Sequence, residues 1–251
     1  RLLTKGRLKP KRAEKFSFRQ FADLVHNKAW LYMTAIAVCT NFFNGFRYAV
    51  AGYMFEYCLH GNVTIEGLII NYTVFMAFGE VTCMIFGGLS PVFTKTVGSK
   101  RMAFFWSALL CFVLSIAFFF IPMSPDYIWV MIALVILTSI GIGIYSPLMW
   151  SMYADVADYH TEHFGTSATG LIFSSGTMSQ KFGTAISGSL IALFLGWAGA
   201  NMITDKMGNT VIDPTSITDS VLMMVWSLFS LFPAVIAFLL MVLSYKFPIK
   251  K

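Results

Sequence analysis

The segment Tyr127–Trp150, YIWVMIALVILTSIGIGIYSPLMW, runs for 24 residues without a single Asp, Glu, Lys or Arg. A helix needs about 20 mostly apolar residues to cross the hydrocarbon core of a bilayer, so this segment predicts a transmembrane helix. Backbone groups in lipid must form their hydrogen bonds within the protein, which favours helices over strands for such a segment. Five further segments are mostly apolar and long enough to cross: Trp30–Tyr53, Gly67–Leu89, Met102–Ile121, Ser167–Trp197 and Ser220–Tyr245. The sequence therefore predicts an all-α membrane protein with six transmembrane helices.

The composition of the whole chain supports the membrane class. Among its 251 residues, 57% are hydrophobic and only 12% are charged, and the mean hydropathy is +0.70. A soluble domain carries about 25% charged residues, so this chain has too few to cover itself with a water-compatible surface. The net charge of +6 is unevenly placed, because nine of the 18 Lys and Arg residues precede Trp30. Basic residues that flank apolar segments are typical of cytoplasmic loops, and we expect no nucleic-acid partner.

The connections between the predicted helices alternate in charge. One set holds nine, three, zero and three basic residues, in the segments 1–29, 90–101, 151–166 and 246–251. The other set holds zero, zero and one, in the segments 54–66, 122–126 and 198–219. The excess of 15 to one predicts that the first set and both termini lie in the cytoplasm. We expect a multi-pass protein of the plasma membrane, which in a bacterium is the inner membrane.

The first 28 residues are predicted to be a cytoplasmic linker, followed by the six-helix bundle in residues 29–251. Phe18, Phe21, Leu24 and Val25 recur at helical spacing with polar residues between them, which is typical of an amphipathic helix on the membrane surface. An ordinary solvated linker is the alternative. Because the chain begins at Arg1 rather than Met, we expect its natural start to lie upstream.

Lys181 is the most informative single residue, because it lies in the middle of the fifth predicted helix. At about 1.5 Å per residue it is roughly 18 Å from the cytoplasmic end, close to the centre of the bilayer. A charge at that depth costs on the order of 3 kcal/mol and requires an acidic partner, a water-filled cavity or a substrate. Ser174 and Thr177 lie within two turns of Lys181, so all three are candidate substrate-binding residues. Glu80, in the second helix, could pair with Lys181 or with another helix.

The same helix is rich in small residues. Gly183 and Ser187 are four residues apart, as are Gly170 and Ser174. Such steps permit close helix approach or line a polar cavity, and the sequence leaves both roles open.

A second polar group lies in the first predicted helix. Asn41, Asn44 and Tyr48 follow i, i+3, i+7 spacing and share a face, and Arg47 lies one turn from Asn44. Such a face is expected to line a cavity, although Arg47 is close enough to the helix end to extend its side chain out of the membrane. Asn44, Arg47 and Tyr48 are therefore further candidate substrate-binding residues.

Acidic residues cluster where the fourth predicted helix ends. Asp155 and Asp158 are three residues apart and share a helix face, where they could accept bonds from basic residues of neighbouring loops. With Tyr159 they are candidate gating residues. His160 and His163 could present a metal, but such a pair is more often part of a polar loop, and we expect no metal site. No other catalytic motif accompanies them, so the protein is not expected to be an enzyme.

Three segments resemble one family of transporters: Ala154-Asp-Val-Ala-Asp-Tyr-His160, Gly170-Leu-Ile-Phe-Ser174 and Gln180-Lys-Phe-Gly183. The resemblance is to the glycoside–pentoside–hexuronide:cation symporter family of the major facilitator superfamily. It implies that the six helices correspond to helices seven to twelve of a twelve-helix carrier. It also implies that Lys181 faces the central cavity and that Asp155 and Asp158 belong to an inner gate. The coupling cation, Na⁺ or H⁺, would bind mainly in the other half, and no further cofactor is expected.

The resulting prediction is secondary active transport of a sugar or glycoside by alternating access. The expected partners are the sugar, the lipid bilayer and an amino-terminal six-helix half. Two alternatives stay open from the sequence. One is a polytopic membrane enzyme that uses the cluster from Asp155 to His163, and the other is a half-size carrier that acts as a homodimer.

Overall fold

The computed structural model describes residues 18–65, 67–204, 208 and 210–249, most of them in helices. Several helices begin at a side chain that caps exposed backbone N–H groups. Asn27 Oδ1 accepts from the N–H groups of Ala29 and Trp30, and Asn71 and Thr218 cap two later helices in the same way. The helices, in chain order, are α1 Phe18–His26, α2 Lys28–Tyr53, α3 Tyr72–Val97, α4 Lys100–Phe119, α5 Ile128–Phe164, α6 Thr169–Trp197, α7 Asp219–Phe229 and α8 Leu231–Lys246.

The first predicted membrane helix agrees with α2, which then widens into one turn of π-helix at Met54–Cys58. The amphipathic pattern before it forms α1, in which Leu24 is buried while Phe21 and Val25 are exposed. Residues 1–17 of the predicted linker lie outside the described residues, and the location of α1 on a membrane surface stays a prediction.

The prediction was wrong at the start of the second membrane helix. Residues from Gly67 onward were expected to be helical, but Leu68–Ile70 form strand β2, which pairs with β1 at Val63–Ile65. Gly67 has a φ of +83°, a conformation that suits glycine, and the flanking β-branched residues favour extended backbone. The helix α3 begins only at Tyr72 and continues to Val97. A second antiparallel hairpin, β3 at Met202–Thr204 and β4 at Thr210–Ile212, follows α6.

Two other boundaries differ from the prediction. The fourth helix does not end near Trp150, because α5 continues to Phe164 and includes Asp155 and Asp158. The sixth predicted helix is interrupted at Ser230, between α7 and α8. Pro233 follows three residues later, and its missing N–H is tolerated in the first turn of a helix but not in the middle of one.

The helices pack as a bundle around α5 and α2. The principal neighbours are α3 with α5, α4 with α5 and α8, and α2 with α6 and α8. One buried cluster lies near the two hairpins and includes Phe75 and Trp226. A second lies at the opposite end of the bundle and includes Phe104 and Tyr153. We call these the hairpin end and the basic end, the latter because Lys28, Lys100 and Lys246 lie there.

Among the residues that the structure describes, four helical segments are long and apolar enough to cross a membrane: Tyr72–Val97, Lys100–Phe119, Pro125–Phe164 and Asp219–Lys246. The helices α2 and α6 are long enough but carry more polar residues. A helix of 37 residues measures about 55 Å, whereas the hydrocarbon core is about 30 Å thick. The protein is therefore a multi-pass membrane protein in which part of α5 projects from the bilayer.

Candidate functional site

One face of α6 packs against α2 through small residues. Gly183 and Ser187 are buried against Asn41 and Gly45 of α2, while Gly176, further along the same face, is buried against Tyr153 and Trp150 of α5. A Cβ atom at Gly183 would lie 2.5 Å from the Cβ atom of Asn41 on α2, closer than real contacts allow. The Gly183–Ser187 step of the sequence therefore serves close helix approach.

The opposite face of α6 is open. We call it the open stripe, and all of its residues are exposed: Gly170, Ser174, Thr177, Lys181, Thr184 and Gly188. They follow one another over 18 residues, about 27 Å along the helix axis. The second small-residue step, Gly170–Ser174, belongs to this stripe, so the two steps have different roles. Beside the stripe, Met178 and Phe182 are exposed apolar residues suited to lipid or a protein partner.

Lys181 lies on the open stripe and is unpaired within the described part of the chain. Within the residues that the structure describes, its ammonium group forms no ion pair or hydrogen bond. The neighbouring hydroxyls bond to their own helix, with Thr177 Oγ1 donating to Ser174 O at 2.9 Å and Thr184 Oγ1 to Gln180 O at 3.0 Å. Glu80, the acidic residue suggested as a partner, is also unpaired in the described part of the chain. Lys181 is thus free to contact a solute, an ion or a partner that covers α6.

The predicted polar group of α2 divides into open and buried members. Asn41 and Asn44 are half-buried, Tyr48 is 47% exposed, and Asn41 Nδ2 donates to Ala37 O at 2.7 Å. Arg47 is only 5% exposed, and its guanidinium lies 5.7 Å from the centre of the Phe43 ring. Its side chain therefore does not extend out of the bundle toward the helix end. It lines a small cleft between α2, α3 and α5 together with Asn44, Tyr48 and Glu80.

The two groups of predicted substrate-binding residues occupy different levels of the bundle. Gly183 lies opposite Asn41, and Ser187 lies opposite Gly45. Because the numbers of the paired residues rise together, α2 and α6 run side by side in the same direction. Arg47 is six residues beyond Asn41, and Lys181 is two residues before Gly183. The two cations are thus separated by about 12 Å along the bundle axis, with Arg47 nearer the hairpin end.

At the basic end, Asp155 on α5 binds Lys100 at the start of α4. The Nζ atom donates to both carboxylate oxygens, at 2.9 and 2.7 Å, and both side chains are partly buried. Asp158 is exposed and has no ion pair in the described part of the chain. Tyr159 stacks on the His163 ring at 3.9 Å. Of the three predicted gating residues, only Asp155 joins two helices.

His160 was predicted from the sequence to lie in a polar loop, and this prediction was wrong. It is fully buried on α5, where its Nδ1 lies 3.3 Å from Asn27 Nδ2 and its ring stacks on Phe164. Burial lowers the pKa of the imidazole, and the negative charge of Asp23 opposes that effect. Because Asn27 caps α2 and follows α1, His160 joins the two to α5.

At the hairpin end, a cavity of about 870 Å³ lies between α2 and the second hairpin. Tyr57 ties the hairpin to the end of α2, since its Oη accepts from Ile212 N at 2.9 Å. Tyr53 Oη donates to Thr210 O at 3.2 Å. Burial raises the pKa of the Tyr57 phenol. Glu56 also lines this cavity and gives its wall a carboxylate.

A multi-pass helical bundle that leaves a lysine uncommitted on a polar helix face has the architecture of a membrane transport protein. Comparison with known families agrees, since the family model described as MFS/sugar transport protein matches residues 4–251. The chain belongs to the major facilitator superfamily and, within it, to the glycoside–pentoside–hexuronide:cation symporter family.

Three relatives from Escherichia coli strain K12 are similar to parts of the chain. The putative glycoside/cation symporter YagG is 28% identical over 69% of the chain and 36% of its own length. The inner membrane symporter YicJ is 30% identical over 50% of the chain and 27% of its own length. The glucuronide carrier protein homolog is 33% identical over 44% of the chain and 24% of its own length. The matched regions thus span about a quarter to a third of these relatives.

Proposed function

We propose that this chain forms the carboxyl-terminal, six-helix half of a secondary transporter that couples sugar or glycoside movement to a cation, Na⁺ or H⁺. Family membership and relatives named as symporters support cation-coupled transport of a sugar, and they favour transport over membrane enzymology. The coupling cation would bind mainly in the other half. The positive-inside rule supports a cytoplasmic location for the basic end and both termini.

The single observation that carries the proposal is Lys181 on its open stripe. A charge that faced lipid at this depth would cost on the order of 3 kcal/mol, so the stripe requires water, a solute or a polar partner. In alternating access, two helical halves rock around a site near the middle of the bilayer. The open stripe would form one wall of that site, and Lys181, Ser174 and Thr177 would bind sugar hydroxyls. An amino-terminal half would cover the remaining surface.

The inner gate is assigned to the pair formed by Lys100 and Asp155. This pair joins α4 to α5 at the end that we place in the cytoplasm. Asp158 and Tyr159 lie one turn further along α5, where they are positioned to meet the other half when the passage closes. Breaking and reforming such partly buried pairs allows a passage to open and close at modest cost.

The test is Lys181→Ala in the full-length protein, with sugar uptake measured in membrane vesicles over a panel of labelled sugars, with and without Na⁺. We expect uptake to fall to the level of empty vesicles, because the open stripe loses the charge of Lys181. The amount of protein in the membrane should stay unchanged, since Lys181 is exposed and forms no ion pair or hydrogen bond among the described residues. Lys246→Gln, which removes an exposed charge at the end of α8, is the matched control and should transport normally. Uptake by Lys181→Ala at the wild-type rate would remove Lys181 from the site.

A half-size carrier that works as a homodimer would cover the open stripe with a second copy of the same chain. The mass of the purified protein–detergent complex distinguishes the two arrangements. A particle of one chain with twelve helices supports our proposal, and a dimer of six-helix chains would replace it.

A further inference from the structure

The cavity at the hairpin end, which we call the hairpin-end cavity, is separate from the open stripe. It measures about 870 Å³, within the range of about 300–1,000 Å³ that small-molecule sites occupy. Its walls come mainly from the end of α2, the start of α3 and strand β4. Glu56 on its wall lies fifteen residues beyond Asn41, and Lys181 lies two residues before Gly183, which is opposite Asn41. The two charges are therefore about 25 Å apart along the bundle axis, and a single sugar ring cannot reach both.

Three tyrosine rings line the hairpin-end cavity, and the second hairpin holds two of them in place. The rings of Tyr53 and Tyr57 stack with their centroids 6.2 Å apart. Tyr53 Oη donates to Thr210 O, while Tyr57 Oη accepts from Ile212 N. Tyr72, at the start of α3, is 51% exposed. Because the hydroxyls of the first two tyrosines are engaged with the backbone, their rings are fixed before any ligand arrives.

Glu56 is the charged group among these rings. It lies on the π-helical turn Met54–Cys58, and single turns of this kind are rare and occur frequently at functional sites. Its side chain is exposed and forms no ion pair or hydrogen bond among the described residues. Of the described residues that line the hairpin-end cavity, it alone carries a charge, so the cavity repels anionic ligands.

A free carboxylate beside fixed aromatic rings matches the two kinds of surface on a sugar. The carboxylate oxygens accept from neighbouring sugar hydroxyls, and hydrogen bonds to an ionised acceptor are the stronger ones. The apolar C–H face of the sugar packs on an aromatic ring, and mostly apolar walls with a few orienting polar groups are typical of small-molecule sites. A small organic cation would also pair with the carboxylate, but it would leave most of a cavity of this size unfilled. The size of the cavity therefore favours a saccharide.

We propose that the hairpin-end cavity is a docking site for a neutral saccharide, with Glu56 accepting hydroxyl hydrogen bonds and the rings of Tyr53 and Tyr72 packing against the sugar. The inference rests on the proposed transport function, in which the hairpin end faces outward and the docked sugar is on its way to the open stripe. Docking keeps the solute next to the entrance of the passage. It therefore speeds loading when external sugar is scarce and adds nothing when sugar is saturating.

The test fills the hairpin-end cavity without disturbing the packing of the helices. Gly52 lies on its wall, and no atom lies within 4 Å of a Cβ atom at this position, so Gly52→Phe places a ring in the open space. Gly88→Phe on α3 is the matched control, because its surroundings are equally open and it does not line the cavity. Binding of radiolabelled methyl β-glucoside and methyl β-galactoside to the full-length protein in nanodiscs is measured by equilibrium dialysis.

For the sugar that binds, we expect two molecules per chain in the wild type and in Gly88→Phe. Gly52→Phe and Lys181→Ala should each bind one, and the double variant should bind none. In uptake assays, Gly52→Phe should raise KM several-fold and leave the maximal rate unchanged, since the open stripe stays intact.

Variants in the Lys181→Ala background, where only the outer site remains, identify the chemistry of that site. Glu56→Gln should weaken sugar binding at least fivefold, because the acceptor loses its charge. Tyr72→Leu should weaken binding to a similar extent, whereas Tyr72→Phe, which keeps the ring, should change it by less than twofold.

Several results overturn the inference. Equal stoichiometry in the wild type and Gly52→Phe would remove the site, as would a Lys181→Ala protein that binds neither sugar. Binding of tetramethylammonium to a protein that ignores both sugars, lost in Glu56→Gln, would replace the saccharide with an organic cation. Failure of the proposed function has a different signature. A wild type that takes up no sugar but binds one molecule per chain, which Gly52→Phe abolishes, would reject transport and retain the docking site.

Discussion

The two faces of α6 are built from the same residue types and serve opposite purposes. Gly183 and Ser187 are buried against α2, while Gly170, Ser174 and Lys181 are open. Small and hydroxyl-bearing residues of α6 therefore have no fixed role, because their role depends on what lies opposite them. The same contrast recurs elsewhere in the chain, where one aspartate is paired and its neighbour is open, and one histidine is buried and its neighbour is exposed. In each pair, substitution of the buried or paired residue should have an effect that the same substitution of its open neighbour lacks.

The largest effect on stability is expected from the substitution Gly183→Ala, at a buried glycine of α6. The new Cβ atom of Gly183→Ala would lie 2.5 Å from Asn41 Cβ and 3.1 Å from the Asn41 carbonyl carbon, so α2 and α6 must separate. Overpacking of this kind costs about 1–3 kcal/mol. Gly188→Ala is the control, since no atom lies within 4 Å of its Cβ position. Thermal unfolding of the purified full-length protein should show a lower midpoint for Gly183→Ala only. Equal midpoints for the two variants would contradict the difference between the faces.

Most of the fold could be predicted from hydropathy and loop charge, and its exceptions have local causes. The segment Gly67–Ile70 is as apolar as a membrane helix, but hydropathy cannot tell a hairpin of β-branched residues from a helix. The helix breaks at Ser230 because Pro233 is tolerated in the first turn of α8 but would disrupt the middle of one continuous helix. Hydropathy did not predict the extension of α5 beyond Trp150, because charged residues can end an apolar segment while the helix itself continues.

The candidate site was less predictable, because one sequence does not show which face of a helix is covered. The spacing of Asn41, Asn44 and Tyr48 predicted one shared face, whereas Asn41 lies against Gly183 of α6 and the other two line the cleft with α3 and α5. For Arg47 the sequence left open whether its side chain lines a cavity or extends out at the helix end. Its contact with Phe43 is a local i, i+4 contact on α2, but its burial in the cleft depends on how α3 and α5 pack, which no local pattern contains. His160 was assigned to a polar loop, and its buried neighbour Asn27 lies 133 residues earlier in the chain, where no local pattern could indicate it.

A smaller effect is expected from the paired aspartate of α5. Asp155→Asn removes the ion pair with Lys100, in which one side chain is 30% and the other 14% exposed. Partly exposed pairs contribute up to about 1 kcal/mol, and we expect a loss of that size. Asp158→Asn, three residues away and unpaired in the described part of the chain, should leave the midpoint of thermal unfolding unchanged. A double-mutant cycle with Lys100→Gln measures the coupling energy, and a coupling near zero would show that the pair does not join α4 to α5.

The smallest effect is expected from the buried histidine, and it depends on pH. Burial lowers the pKa of His160 below its ordinary value of about 6.5, although Asp23 acts in the opposite direction. The neutral ring is thus the form that fits beside Asn27. Its contribution to stability is complete above the ordinary pKa and is lost as the pH falls through that value toward the lowered one. Hydrogen exchange of the α1 amides, corrected for the intrinsic effect of pH, should therefore accelerate on acidification. His160→Asn should abolish this dependence and His163→Asn should preserve it, because the exposed His163 ring contacts Tyr159 rather than α1. An unchanged acid response in His160→Asn would assign it to another group and leave α1 held by its apolar contact through Leu24.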